Sequence, residues 1–270
     1  MQQGWQWWYF ALWVYVLGLC IGSFLNVCIW RIPRKISLRK PPSHCPACNA
    51  RLTARDLIPV VSYLALRGRC RHCGAPIAPR YPTVELLTGL LYLLCYCVLP
   101  ELRQLLPALV LVSVLIPVAF IDAEHSIIPN GLMLFGLAAG LLCLAFFHPQ
   151  TWRTDLTGAL AAAGLLFLVD VLSRLLLRKE GMGGGDVKLM AVVGLYLGLR
   201  LVLLALLLAV VAGGLVGGVL LLTKKVKPGG YFPFGPFLAV GSFVALLFGE
   251  EILAGYALWI QMLVGLMIGS

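Results

Sequence analysis

Long apolar runs, rather than alternating polar and apolar positions, organise this chain. Nine of them, residues 5–30, 83–99, 105–121, 127–147, 156–177, 187–199, 201–222, 234–249 and 252–269, carry few charges. A helix crosses the hydrocarbon of a bilayer with about twenty residues, which most of these runs supply. The strands of a membrane barrel alternate over about ten residues, a pattern absent here. The expected fold is therefore all-α, a polytopic membrane helix bundle. The run 187–199 is short for a crossing, so eight or nine spans are expected. One long polar stretch interrupts the pattern. It divides the chain into a first span (1–30), a loop (31–82) and a membrane-embedded core (83–270).

Composition agrees. Apolar residues make up 61% of the 270 and charged residues 12%, about half the share usual in soluble domains. A soluble globule, a disordered chain and a disulfide-stapled secreted module are excluded on that balance. Trp5, Trp7 and Trp8 form an interfacial belt at the start of the first span. No basic segment precedes that span and its basic flank follows it, so it reads as a retained helix with the N-terminus outside.

Charge places the loop. Residues 31–80 hold eleven bases and one acid, Asp56, and so carry the whole net charge of +10. Bases flanking apolar spans mark the cytosolic side of a membrane, and no aromatic-basic interleaving points to nucleic acid. Alternating from an outside N-terminus puts Arg174, Arg178, Lys179, Lys188, Lys224, Lys225 and Lys227 on inner joins. Glu101, Arg103, Arg153, Asp155, Arg200, Glu250 and Glu251 then fall on outer ones, so bases lean inward.

Five of the nine cysteines lie in apolar runs, where a thiol behaves as a small hydrophobe. The other four form Cys45-x2-Cys48 and Cys70-x2-Cys73 in the basic loop. Paired CxxC knuckles in a reducing compartment point to tetrahedral zinc, and four thiolates leave no open position for catalytic water. The metal is therefore expected to be structural. His44 and His72 are neighbours not needed to complete the set.

Most acids sit at outer joins or in the basic loop; Asp122 and Asp186 do not. Asp122 ends the run Val118-Ala119-Phe120-Ile121, and Asp186 follows Gly183-Gly184-Gly185. Both fall at the inner membrane edge by the topology above. An ionisable group at membrane depth is costly, which makes it a functional candidate. Two aspartates sharing one proton offer a base and an acid together, able to activate water against a peptide carbonyl. Taken singly, each also reads as a helix cap or a glycine hinge.

Together these motifs resemble the type IV prepilin peptidases. The residues that carry the likeness are Gly22-Ser23-Phe24-Leu25-Asn26-Val27, both CxxC pairs, Arg55-Asp56-Leu57-Ile58-Pro59, and Arg80-Tyr81-Pro82 with Glu85. Ile121-Asp122 with Ile128-Pro129-Asn130, Gly183-x-Gly-Asp186 with Lys188, and Pro233-Phe234-Gly235-Pro236-Phe237 complete the set. The resemblance implies a presenilin-like aspartyl protease of the bacterial inner membrane with Asp122 and Asp186 as its catalytic pair. It would cut prepilins or pseudopilins of pilus, type II secretion or competence machinery after the Gly of a basic leader. It also implies transfer of a methyl group from S-adenosylmethionine to the new N-terminal amine, an activity associated with the zinc loop. No glycine-rich motif marks a methyl-donor site; Glu85 and Lys188 are the candidates, each a charge beside an apolar run that also suits a snorkelling interfacial residue. Family members often carry Asp where Asn130 stands.

Three other readings remain at this level. A peptidase without methyl transfer fits the aspartates alone. A transporter uses paired intramembrane carboxylates too, but repeat symmetry is missing and the two acids sit at one edge rather than the midplane. A silent scaffold leaves both aspartates unexplained.

Overall fold

The computed structural model of the chain describes residues 3–177, 183–223 and 233–268. Arg178, Lys179, Lys224, Lys225 and Lys227, expected on inner joins, lie outside the described residues. Among the described residues seven helices are long and apolar enough to cross a membrane. They are α1 (Gln3–Arg31), α3 (Arg80–Val98), α4 (Leu102–His125), α5 (Asn130–Phe147), α6 (Trp152–Leu177), α7 (Gly184–Leu222) and α8 (Gly235–Ile268). A short α2 (Val61–Ala65) lies in the loop between α1 and α3, and the described residues hold isolated β-bridges but no strand.

Nine apolar runs become seven helices because two pairs of runs join. The runs 187–199 and 201–222 form α7, whose 39 residues would extend about 58 Å if straight. The hydrocarbon core is only about 30 Å thick. The helix breaks at Gly198, where φ is 69° and ψ is 177°, a conformation open to glycine and costly for a residue with a Cβ. Counting its two arms separately gives eight helical segments. The expected ninth does not separate: 234–249 and 252–269 continue as one helix through Glu250 and Glu251, which are exposed on α8 rather than placed in a join.

The chain forms two compact units, Met1–Ala139 and Gly140–Ser270. Lipid tails are as apolar as leucine, so helices in a membrane associate through close packing rather than hydrophobic exclusion. In the first unit, α1 lies along α3 where small residues allow it. A Cβ built on Gly18 would stand 2.8 Å from the Gly89 Cα, and one on Gly22 would stand 2.8 Å from the Glu85 Cα. The α4 helix packs on both, with Tyr92 of α3 hydrogen-bonded to Ser113 of α4 at 2.6 Å. In the second unit, α7 packs against α6 and α8. Gly158 of α6 meets Gly194 and Gly198 of α7 backbone to backbone, with no room for a methyl group on either side.

The loop after α1 is fixed by a base that the sequence pattern counts among the charges of that loop. Arg31 is buried, and its guanidinium donates to the carbonyls of Ser37 at 2.8 Å and Pro41 at 2.7 Å. These bonds fold the chain back over the end of α1, directly before the first cysteine pair.

Candidate functional site

Each CxxC pair builds the same backbone knuckle. The Cys45 amide donates to the Ala50 carbonyl and the Asn49 amide to the Cys45 carbonyl, at 2.9 and 2.8 Å. In the second copy Cys70 pairs with Ala75 and Gly74 with Cys70, at 2.8 and 2.9 Å. Asn49 and Gly74 both have positive φ, 58° and 71°, as the wrap around a sulfur requires of residues tolerant of that region. The bridges His44–Arg51 and Arg69–Pro76 close the two knuckles at equivalent places.

The knuckles bring all four sulfurs within 4.8 Å of one another, with Cys45 Sγ and Cys73 Sγ 3.9 Å apart. Zinc–sulfur bonds of about 2.3 Å in a tetrahedron separate neighbouring sulfurs by about 3.8 Å, so the donor set fits zinc. The Cys73 and His72 amides donate to Cys70 and lower its thiol to about 6. Cys73 receives the Ala75 amide, which acts in the same direction, but its crowded sulfur neighbours Cys48, Cys70 and Cys45 push it up to about 11. Four thiolates at this spacing repel one another until a divalent cation compensates them. His44 hydrogen-bonds the Pro42 carbonyl at 3.1 Å, outside the tetrad.

Asp56 orders the segment between the knuckles. Its carboxylate accepts from the Thr53 hydroxyl at 2.7 Å, from Arg71 Nε at 2.8 Å and from the Thr53 amide at 3.0 Å. The Thr53 hydroxyl first, then the Arg71 side chain, hold that carboxyl well below the usual carboxylate range. A few residues on, Val60 adopts φ 61° and ψ −49°, and the Val61 amide bonds the Pro59 carbonyl at 2.6 Å. This is the rare γ-turn, strained for a β-branched residue. What holds it is Glu85 in the second turn of α3, whose carboxylate accepts the Val60 amide at 2.8 Å. Glu85 is 8% exposed. The four-cysteine loop is thus tied into the α1–α3 pair by a buried acid.

The two aspartates occupy opposite kinds of helix end. Asp122 lies in the last turn of α4, 2% exposed, four residues before Ser126 ends the helix in the left-handed conformation. Asp186 lies in the first turn of α7, 6% exposed, directly after the glycines, with its amide bonded to the Gly183 carbonyl at 2.9 Å. Its Oδ2 is 3.4 Å from where a Cβ on Gly183 would stand, so the carboxylate folds back over a residue with no side chain. Asp122 belongs to the first compact unit and Asp186 to the second. Lys188, two residues on, is exposed.

One intramembrane acid escaped the sequence pattern. Asp170 in α6 is buried and paired with Arg174 one turn later, at 2.9 Å. The signal was an acid four residues before a base inside an apolar run, a spacing that lets the pair neutralise itself on one helix face.

Comparison with known proteins adds to this geometry. Residues 16–99, which contain the four cysteines and Glu85, match the bacterial peptidase A24 N-terminal domain. Residues 109–218, which contain Asp122 and Asp186, match the type IV leader peptidase family. Similar curated proteins include the prepilin leader peptidase/N-methyltransferases of Bacillus subtilis and Aeromonas hydrophila. The first is 36% identical over 90% of this chain and 96% of its own length, and the second is 38% identical over 95% and 96%. The prepilin leader peptidase/N-methyltransferase of Myxococcus xanthus is 43% identical over 81% of this chain and 66% of that protein. No solved structure matches.

Proposed function

Because the chain belongs to the type IV leader peptidase family, we propose that it removes the basic leader of a prepilin or pseudopilin and then methylates the new N-terminal amine. The observation that carries this reading is the burial of two aspartates at the ends of apolar helices, both within the segment that matches the peptidase family.

In this reading Asp122 and Asp186 act as one pair holding a single proton. The ionised member takes a proton from water as the water oxygen attacks the scissile carbonyl carbon. The protonated member donates to the carbonyl oxygen, giving a gem-diol. As the C–N bond breaks, the first aspartate passes the proton taken from water to the leaving amine, and the second takes back a hydroxyl proton as the new carboxyl group forms. The glycines before Asp186 let an extended substrate backbone come close. A leader with basic residues stays in the cytosol, so the pair and the zinc loop belong on the cytosolic face of the bacterial inner membrane, with the N-terminus outside.

Zinc at Cys45, Cys48, Cys70 and Cys73 supplies loop order rather than Lewis acidity at the substrate. S-adenosylmethionine is the methyl donor, and the zinc loop serves that second reaction. A prepilin cleavage assay in membranes tests the reading. Asp122→Asn and Asp186→Asn should each abolish cleavage at unchanged protein level and zinc content, while wild-type product gains the mass of one methyl group. Cleavage that survives either change removes that aspartate from the mechanism.

A further inference from the structure

Among the described residues two buried side-chain polar atoms stand without a hydrogen-bond partner, Asn26 Oδ1 and Arg80 Nε. Both lie at the start of α3. Asn26 Nδ2 donates to the Tyr81 carbonyl at 2.9 Å, so the orphaned amide oxygen sits at the first turn of α3, beside the residue that follows Arg80. One turn beyond Tyr81 on the same helix is Glu85. Its backbone lies against Gly22, which is itself one turn before Asn26 on α1. The junction of α1 and α3 thus holds a buried carboxylate and an unpaired amide oxygen, and the first residue of α3 adds an unpaired guanidinium Nε.

Buried polar atoms are nearly always paired, and an orphan in a native interior calls for an explanation. The carboxylate is only partly answered as well. It accepts from two neutral donors, the Val60 amide and the Ser23 side chain, and among the described residues no cation is paired with it. What is missing is a ligand that donates to two acceptors and accepts from one donor.

Resting on the methyl-transfer reading above, we propose that this junction binds the zwitterionic α-amino-acid end of the methyl donor. An ammonium has three N–H donors and no acceptor, which suits Glu85 and Asn26 Oδ1 together. A carboxylate only accepts, which suits the Arg80 Nε–H. A lone ammonium leaves Arg80 Nε open, and a lone carboxylate meets the Glu85 anion. The site also accounts for the strained Val60. The turn that hangs the zinc loop on Glu85 closes that loop over the same junction, so loss of zinc order would reach the donor site without any cysteine touching the donor.

The test is equilibrium binding to the full-length protein in nanodiscs, with two probes. S-adenosylhomocysteine carries the amino-acid end, and 5′-methylthioadenosine lacks it. Wild type should prefer the first by at least tenfold. Glu85→Gln keeps an acceptor for the Val60 amide but loses the charge, and Arg80→Lys keeps a cation for Glu124 but loses the Nε donor. Each should cut the preference at least fivefold while methylthioadenosine affinity and zinc content stay at wild-type values. Equal wild-type affinity for the two probes overturns the proposal, as does a preference unchanged in Glu85→Gln. Parallel loss of both affinities and of zinc in that variant also overturns it, reducing Glu85 to a tether of the loop. A wild type that makes methylated product but shows no preference sinks this site alone. One that binds neither probe and makes no methylated product sinks the methyl-transfer reading beneath it.

Discussion

Arg80 Nη1 donates to both carboxylate oxygens of Glu124 at 2.8 Å, so the first residue of α3 grips the last turn of α4 two positions beyond Asp122. The pair is only partly buried, with side chains 20% and 36% exposed, and contributes no more than about 1 kcal/mol to stability. On the proposed role of Asp122, its effect on cleavage should be larger than its effect on folding, because a small displacement of a catalytic group is costly. Glu124→Gln should slow cleavage about tenfold. Combined with Arg80→Gln it should cost little more than either change alone, since both remove one interaction. Additive losses in that double-mutant cycle would show that the ion pair does not position Asp122.

The cysteine tetrad predicts a separation of the two activities. Cys48→Ser or exhaustive chelation should remove about one zinc per chain and abolish methyl transfer, while cleavage falls no more than about twofold, because the metal energy is spent on ordering the loop. Metal analysis beside a two-product mass assay decides it. Equal loss of cleavage would place the zinc in the proteolytic machinery.

Asp56 gives a pH-dependent signature outside the membrane. Its folded-state value is lowered by the Thr53 hydroxyl and Arg71, so its contribution is complete above the unfolded value, about 3.9 for an aspartate, and is lost as pH falls further. Exchange protection at the Leu57 amide, which bonds the Ala54 carbonyl at 3.2 Å, should be weaker in Asp56→Asn than in wild type at pH 7. The two proteins should converge as the pH drops below about 4. A gap that persists unchanged to pH 3 would mean that the carboxylate charge is not what orders the turn.

The α6–α7 contact tolerates no added volume. In Gly194→Ala the new methyl would fall 2.6 Å from backbone atoms of Gly158 and Ala159, which have no flexible end to move aside. A loss of about 1–3 kcal/mol is expected, read as a lower unfolding temperature in detergent. Gly164→Ala on α6 opens into free space and should be neutral, or stabilising by up to about 1 kcal/mol. Matching losses in the two variants would contradict this packing.

Much of the candidate site was legible because its signals are local. Sulfur spacing of two residues dictates a knuckle whatever surrounds it. Asp122 and Asp186 stand out because each interrupts the boundary of an apolar run. The span count was less secure for the same reason. Hydropathy registers charges such as Glu250 and Glu251 as breaks, yet a helix keeps its hydrogen bonds through two exposed acids, and α8 runs on. It also cannot see that the 187–222 region turns on the backbone of Gly198.

The sequence by itself determined that this chain enters a membrane, that four cysteines form a set able to hold a metal, and which two acids stand where apolar helices end. These follow from composition and from spacings of a few residues. Only the tertiary structure decided that Arg31 is buried under the loop it precedes, that Glu85 holds Val60 across 25 positions, and that Arg80 reaches Glu124 across 44. Such pairings depend on which faces of α1, α3 and α4 meet. That choice is made by close packing at Gly18, Gly22 and their partners, summed over whole helices, and no short stretch of sequence contains it.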